Sequence, residues 1–265
     1  MNILDTIIEH KRTEVEGRKA LVSVSDLEKR PFFSREVLSL KKFLTDPQRT
    51  GVIAEFKRRS PSKGVINDRS GVVEVTRGYA EGGASCLSIL TDEHFFGGTA
   101  EDLIRARVNE VPILRKDFMI DEYQLTEARA MGADVILLIA ACLTPAEVKK
   151  LAVAARNLGL EVLLEIHSEE ELGHICEETE LVGVNNRDLK TFMVDIERSI
   201  RLSRQIPAGK ILVAESGISR VETIRHMQQA GFQGFLIGES FMKEEDPAAA
   251  FRNFVAALIK GTEQL

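Results

Sequence analysis

The chain has 265 residues, of which 44% are hydrophobic and 29% are charged, and its formal net charge is −6 at pH 7. This is the composition of a globular protein, and the negative charge argues against nucleic acid or a membrane surface as the main partner. The length suits two small domains or one (β/α)8 barrel, which typically has about 250 residues.

The early part of the chain has helical periodicity. Apolar residues recur at helical spacing at Ile3, Leu4, Ile7, Ile8 and Val15. With Asn2 as a candidate cap they predict an amphipathic helix, and a second helical stretch is expected after Pro31, ending near residues 46–47. The sequence therefore predicts an N-terminal helical extension over residues 1–46 and a catalytic domain over 47–265.

From Gly51 onward, short apolar runs alternate with polar helical segments. The predicted strands cover residues 52–56, 85–90, 111–115, 134–139, 161–166, 181–184, 210–214 and 234–237. Between them, 144–158 has Thr144 as cap, Pro145 at its first position and Gly159 beyond its end, and 119–131 closes at Gly132.

Eight such βα units predict a parallel sheet, either closed as a single (β/α)8 TIM barrel or open and doubly wound. The even strand lengths and the absence of a GxGxxG turn after the first strand favour the barrel. In a barrel, function is expected at the carboxyl ends of the strands.

Charged side chains stand at these strand ends. Glu55 and Lys57 lie two residues apart, so both point to the same side of the first strand. The other charged residues at strand ends are Lys116, Glu165, Arg187 and Glu215. Each alone is explained equally well by a solvated loop charge or a structural ion pair. Together at one barrel mouth, they predict acid–base chemistry.

The loops after the last two strands offer a phosphate site. They contain Ser216-Gly217 and Gly238-Glu239-Ser240, whose backbone N–H groups can approach an anion. The alternative is that the glycines only permit tight turns. We expect a small phosphorylated substrate, with neither a metal nor a cofactor.

The cysteines are Cys86, Cys142 and Cys176, an odd number without CxxC spacing. They indicate free thiols and a cytoplasmic location.

Seven segments carry a resemblance to a known family. They are IAEFKRRSPSKG, LTDEHFFGGT, LRKDF, LLEIHSEEEL, VGVNNRDL, VAESGI and FLIGES, in family order over nearly the whole chain. The chain thus resembles the indole-3-glycerol phosphate synthases. The resemblance implies a carboxy-lyase of tryptophan biosynthesis that converts 1-(2-carboxyphenylamino)-1-deoxyribulose 5-phosphate to indole-3-glycerol phosphate, releasing carbon dioxide and water.

The resemblance also implies residue roles. Lys116 matches the general acid for condensation and Glu165 the general base, while Lys57 and Glu55 match a pair near the leaving hydroxyl and the bridging nitrogen. How the two lysines divide the two acid steps stays open. The residues that match supporting or orienting positions are Asn185, Glu215 and Ser216.

The remaining matches concern substrate binding. Ser60 and Phe118 fall where the family binds the aromatic ring and its carboxylate, and Arg187 is expected to stabilise anionic groups. The implied phosphate site is Ser216, Gly217, Gly238 and Glu239. Glu239 is expected to offer its backbone N–H while its side chain turns outward, and Lys63 is expected in a loop that closes over substrate.

Two other functions fit a phosphate-binding barrel. A phosphosugar isomerase would commonly need a Cys and an Asp that this chain does not present at matching strand ends. A non-catalytic binding barrel would not need so many charges in its mouth. We expect a monomer, with association with the pathway isomerase as an open alternative, and an N-terminal helix that either caps the barrel or also lies over its mouth.

Overall fold

The computed structural model describes residues 3–188, 191 and 193–260. Eight parallel strands form a closed barrel in chain order, and the last strand pairs back with the first. The strands are β1 Val52–Phe56, β2 Cys86–Leu90, β3 Ile113–Lys116, β4 Val135–Ile139, β5 Glu161–Ile166, β6 Leu181–Asn185, β7 Ile211–Glu215 and β8 Phe232–Ile237. The closed barrel confirms the predicted TIM fold over the open sheet.

Helices surround this barrel. They are α1 Ile3–Leu21, α2 Val24–Glu28, α3 Leu40–Thr45, α4 Val72–Glu81, α5 Glu93–Phe96, α6 Ala100–Ala106, α7 Glu122–Met131, α8 Pro145–Asn157, α9 Ile196–Ser203, α10 Val221–Gln229, α11 Glu239–Met242 and α12 Pro247–Lys260. After β5, a short 3-10 helix, Glu169–His174, stands in place of an α-helix. No helix within the described ranges is long and apolar enough to cross a membrane.

The cap signals of the sequence hold in the structure. The Thr144 hydroxyl accepts from the backbone N–H of Glu147 and forms a capping box at the start of α8. Gly132 closes α7 with φ 93°, a left-handed conformation that favours glycine. Helix α7 starts at Glu122 rather than at residue 119, because the side chain of Asp121 caps the helix by accepting from the backbone N–H of Tyr123.

The N-terminal extension differs from its prediction in detail. Helix α1 is present, and the proposed cap Asn2 lies outside the described residues. The stretch after Pro31 forms turns before the short α3, and α2 was not expected. Both short helices begin at serine caps, Ser23 and Ser39. The domain boundary at residue 46 stays a prediction.

The extension contacts both ends of the barrel. At the amino-terminal end, Leu40 and Leu44 of α3 pack against the residues inside the barrel, among them Ile53 and Val213. At the opposite end, α1 reaches the loops that follow β2 and β3. The extension therefore closes the bottom of the barrel and borders its mouth.

A buried charge network fixes α1 at the mouth. Lys11 is 1% exposed, and its Nζ lies 2.8 Å from Asp92 Oδ2 and 2.9 Å from Asp117 Oδ1. Arg115, also buried, reaches Asp117 Oδ2 at 3.2 Å. Burial would raise the pKa of Asp117, but the charges of Lys11 and Arg115 outweigh it and lower that pKa to about 2.

We expect Lys11→Met to lower the free energy of unfolding by about 3–5 kcal/mol, because in a buried site it leaves Asp92 without its cation and Asp117 with Arg115 alone. Lys19→Met is the matched control on the same helix. Its ion pair with Asp121, at 2.6 Å, is partly exposed, and its loss should cost less than about 1 kcal/mol. Urea unfolding measures both; equal, small losses would contradict a structural role for the Lys11 network.

Candidate active site

A cavity of about 450 Å³ opens at the carboxyl ends of the strands. It brings together all the catalytic, substrate-binding and phosphate-site candidates of the sequence, whereas Lys63 of the expected closing loop does not line it. The candidates in its wall are Glu55, Lys57, Ser60, Lys116, Phe118, Glu165, Asn185, Arg187, Glu215, Ser216, Gly217, Gly238 and Glu239. Helix α1 adds apolar side chains to the wall, from Ile3, Leu4 and Ile7. The N-terminal helix therefore lines the mouth as well as packing on the barrel.

Lys116, the last residue of β3, is held between two buried carboxylates. Its Nζ lies 2.9 Å from Glu215 Oε2 and 3.4 Å from Glu165 Oε2. Burial alone would lower the pKa of Lys116, but the carboxylates of Glu215, Glu165 and Glu55 outweigh it and raise that pKa above its usual value. The ammonium is therefore protonated throughout the neutral range.

The two carboxylates beside Lys116, those of Glu165 and Glu215, have pKa values shifted in opposite directions. Burial would raise the pKa of Glu165, but Lys116, His167 and the amide of Asn185 lower it. Burial and the neighbouring Glu165 charge raise the pKa of Glu215 despite Lys116. The site thus holds one ionised carboxylate and one that readily keeps a proton, the pattern typical of acid–base sites.

Glu55 and Lys57 form a second ion pair across the mouth. The Lys57 Nζ lies 2.6 Å from Glu55 Oε1, as the shared strand face predicted. Burial would raise the pKa of Glu55, but Lys57 and Lys116 lower it below its usual value. This carboxylate is therefore ionised beside its lysine.

Two glycines make room for these carboxylates. A Cβ at Gly183 of β6 would lie 2.2 Å from Glu215 Oε1, and one at Gly238 would lie 2.6 Å from Glu55 Oε1. Neither distance is tolerated between non-bonded atoms. The carboxylates therefore occupy space that any larger residue at these positions would fill.

Asn185 connects the acid–base cluster to the next loop. Its Nδ2 donates to Glu165 Oε1 at 3.0 Å, and its Oδ1 accepts from the backbone N–H of Arg187 at 2.9 Å. The guanidinium of Arg187 lies near the loop that follows β8, with Nη2 3.8 Å from Glu239 Oε2. One short segment thus orients the proposed base and presents a cation.

The loop after β7 has an unusual backbone at the predicted phosphate site. Ser216 has φ 67°, a positive value for a non-glycine residue, and Gly217 follows with φ 70°. Asn186 holds this turn, because its Nδ2 donates to the Ser216 carbonyl at 2.8 Å. Such conformations cluster at ligand sites and aim backbone groups at the ligand.

The side chain of Glu239 is 39% exposed and lies near two cations, with Oε1 3.5 Å from the Nζ of Lys63 and Oε2 3.8 Å from Nη2 of Arg187. That it turns outward when phosphate binds stays a prediction. The two cations attract it, and they come from the loops after β1 and β6. The backbone N–H of Glu239 opens α11, where first-turn donors have no partner within the helix.

The opposite side of the cavity is apolar. Phe118 lies two residues beyond the end of β3 and packs against Phe96, with ring centroids 6.0 Å apart. Leu137 and Ile139 of β4 continue this wall, and Ser60 borders it from a short hairpin after β1 formed by Arg59–Ser60 and Gly64–Val65. Flat apolar walls with a few polar groups suit an aromatic ligand.

Sequence reasoning missed two residues of this site. His167 lies against Glu165, and Asn186 supports Ser216. His167 follows Glu165 by two residues, so the alternation that paired Glu55 with Lys57 would have found it. Among the residues that the structure describes, no three His, Cys, Asp or Glu side chains are placed to hold a metal ion.

Comparison with known proteins gives one consistent result. The family model for indole-3-glycerol phosphate synthase matches residues 4–254. The indole-3-glycerol phosphate synthase of Bacteroides thetaiotaomicron is 49% identical over 258 residues, covering 97% of this chain and 99% of that protein. That of Salinibacter ruber is 48% identical over 254 residues, covering 94% of each.

Solved structures with lower identity match in fold alone. A 3-hexulose-6-phosphate synthase aligns with TM-score 0.62 and 16% identity, over 78% of this chain and 99% of that one. The tryptophan synthase subunit alpha of Legionella pneumophila aligns with TM-score 0.60 and 14% identity, over 85% and 97%.

We expect inorganic phosphate to raise the melting temperature, because a ligand that binds only the folded state stabilises it, by about 2.7 kcal/mol at 100 times its Kd. Gly217→Ala should abolish this shift, since the new Cβ would lie 2.3 Å from Val194 Cγ1 and φ is 70°. Gly209→Ala is the matched control, with φ 89° in open space. Thermal scans at constant ionic strength test this; a full shift in Gly217→Ala would contradict it.

Proposed function

The chain belongs to the indole-3-glycerol phosphate synthase family, and we propose that its barrel mouth catalyses the ring closure of that family. The substrate is 1-(2-carboxyphenylamino)-1-deoxyribulose 5-phosphate, and the products are indole-3-glycerol phosphate, carbon dioxide and water. The observation that carries the site assignment is the buried Lys116 ammonium, held between an ionised carboxylate and a protonatable one at the cavity floor.

The first step is condensation. The ring carbon that bears the carboxylate attacks the sugar carbonyl, and Lys116 Nζ–H gives a proton to the oxygen as negative charge develops there. An ammonium buried among carboxylates is preorganised for this, since it meets the new charge without waiting for solvent to reorient. Loss of carbon dioxide then restores the aromatic ring.

The second step is dehydration. An acid protonates the leaving hydroxyl, and Glu165 takes the proton from the adjacent carbon, so that water departs and a double bond forms. The five-membered ring closed by the condensation thereby becomes an aromatic pyrrole ring. Once Lys116 has given up its proton, one of the two positive charges that lowered the pKa of Glu165 is gone, and Glu165 becomes a stronger base. The acid of one step thereby prepares the base of the next.

Lys57 and Glu55 serve the dehydration side of this site. Their ion pair stands opposite Lys116 and Glu165, near where the hydroxyl and bridging nitrogen would lie. Lys57 has the charge and position to act as the acid for the leaving hydroxyl, and Lys116 can do so if it first regains a proton. Glu215, buried beside Lys116, serves as an orienting group that can hold a proton.

The two ends of the substrate suit the two sides of the cavity. The aromatic ring packs between Phe118 and the apolar wall from α1, with Ser60 near its carboxylate. The phosphate meets the backbone N–H groups of Ser216, Gly217, Gly238 and Glu239. Arg187 and Lys63 supply positive charge and exchange Glu239 for the phosphate as substrate enters.

We further propose that the chain works as a cytoplasmic monomer, with association with the pathway isomerase as an alternative arrangement. All three cysteines are free, which fits a reducing compartment. Size-exclusion chromatography with light scattering, with and without that isomerase, distinguishes the two arrangements.

We expect Lys116→Ala and Glu165→Gln each to lower kcat by about 10²-fold or more, the range for a lost general acid or base. Purified protein is incubated with saturating substrate, and indole fluorescence reports product. No product from the unaltered chain would overturn the proposed function; near-normal turnover in both variants would overturn the assigned roles alone.

Matched controls test whether position matters rather than charge. Lys150→Ala removes an exposed lysine that pairs with Glu122 on the outer surface. Glu161→Gln changes the glutamate at the other end of β5, where it accepts from Ser39 at 2.5 Å. Both variants should keep the turnover of the unaltered chain.

We expect Ile7→Ala to raise KM by about three- to tenfold with little change in kcat, because Ile7 is part of the apolar wall that covers the ring. Val15→Ala is the control. Val15 is buried in the same helix against Leu27 and Tyr123, away from the cavity, so it should reduce stability and leave KM unchanged. Steady-state kinetics with a urea titration measures both; an unchanged KM in Ile7→Ala would indicate that α1 only caps the barrel.

A further inference from the structure

His167 lies behind the proposed base, on the side away from Lys116. Its imidazole is 8% exposed and follows the end of β5. Its Nε2 lies 3.0 Å from Glu165 Oε1, and its Nδ1 lies 3.4 Å from Glu171 Oε2. The ring therefore stands between two carboxylates, with one at each nitrogen.

This arrangement selects the charged form of the ring. A neutral imidazole carries a proton on only one nitrogen, so the other nitrogen would lie within 3.4 Å of a carboxylate oxygen without a proton of its own. Neither ring nitrogen has an aligned hydrogen-bond partner, so the contacts are short-range charge pairs. Burial would lower the pKa of His167, but the two glutamates outweigh it and raise that pKa to about 10.

The glutamate behind His167 is itself fixed. Glu171 Oε2 accepts from the backbone N–H of His167 at 2.6 Å. The 3-10 helix that carries Glu171 is held by His174, whose ring contacts the backbone carbonyls of Glu171 at 3.0 Å and of Leu143 at 2.8 Å. Glu171 is therefore a positioned counter-charge rather than a solvated side chain.

The contacts at Glu165 divide its two oxygens. Oε1 faces His167 and accepts from Asn185 Nδ2, whereas Oε2 faces Lys116. Oε1 of Glu165 is thus held by His167 and Asn185, and Oε2 faces the ammonium of Lys116, the proposed acid.

We propose that His167 is a positioning residue, an imidazolium braced by Glu171 that fixes Oε1 of Glu165, keeps the carboxylate ionised and leaves Oε2 to take the substrate proton. The inference rests on the proposed function for the identity of that proton. When Lys116 has given up its own proton, His167 is the cation that remains in contact with Glu165, and it keeps the carboxylate oriented while Oε2 gains basicity.

Other titratable groups also act on this pair. Glu215, Lys116 and Glu55 interact with Glu165 from β7, β3 and β1. The thiol of Cys142, after β4, is close enough for its pKa to be raised by burial and by the charges of Glu165 and Glu171. Among these groups, Lys116 and His167 are the cations that lower the pKa of Glu165, so removing His167 must raise it.

The test is the pH profile of kcat. In His167→Asn and His167→Gln the acidic limb should move to higher pH by about one unit, because activity needs ionised Glu165 and an opposite charge in contact lowers a carboxyl pKa by about 1–3 units. Activity on that limb should fall about tenfold, while the plateau above it changes less. His226→Asn, which removes a surface imidazole paired with Glu197 at 2.7 Å, should leave the profile unmoved.

A second measurement does not depend on turnover. Nitrogen-15 NMR of the unaltered chain, with the His167 signals assigned by their loss in His167→Asn, should show both ring nitrogens protonated at pH 8. A neutral His167 ring at pH 8, or an acidic limb that stays in place in folded His167→Asn and His167→Gln, would overturn the inference. If the unaltered chain makes no product, the proposed function fails, and the NMR result still decides the charge of His167.

Discussion

The burial of one lysine among carboxylates sets the rest of this site. Lys116 lies at the end of β3, and its ammonium needs counter-charge because an unpaired buried ion costs several kcal/mol. Three carboxylates converge on the mouth, Glu55, Glu165 and Glu215, and Lys57 pairs with the first. The two lysines balance two of these carboxylates, and the His167 cation is also paired with Glu171. Glu215 is left with burial and the neighbouring charge of Glu165, which raise its pKa despite Lys116. The acid–base pattern thus follows from the charge count in a confined space.

The register of the barrel strands brings these charged groups together, and two glycines leave room for them. Asn185 pairs with Glu215 across β6 and β7, while Ile139 pairs with Glu165 across β4 and β5, so the functional residues come level at one rim. Gly183 and Gly238 leave the space that Glu215 and Glu55 fill. A parallel barrel places its strand ends in one ring, and this is why residues far apart in the chain meet there.

The sequence predicted the parts of the site that depend on local geometry. Period-two alternation placed Glu55 beside Lys57, and strand ends alone identified Lys116, Glu165 and Glu215 as neighbours. The sequence did not predict ion pairs between residues that lie far apart in the chain. The polar positions of α1 read as a solvent face, yet Lys11 is buried because Asp92 and Asp117 come from two distant loops. The ion pairs of Glu239 were missed for the same reason, because Arg187 and Lys63 come from other loops. The short helices α2 and α3 depend on serine caps and on packing against the barrel, which a weak local pattern does not reveal.

Stability and chemistry share one strand end in this protein. Asp117 stands between Lys116 and Phe118, and its side chain turns back to Lys11 and Arg115 while its neighbours face the cavity. Moving α1 would separate Asp117 from Lys11. It would also shift the segment that carries Lys116, the proposed acid, and Phe118 of the apolar wall. A purely apolar contact would hold the helix through area alone and would tolerate sliding, because it has no direction. Buried charge pairs with short distances have direction, so they fix the register of α1 against the barrel. Ile3, Leu4 and Ile7 then border the cavity at defined positions, and the extension becomes part of the site that it covers.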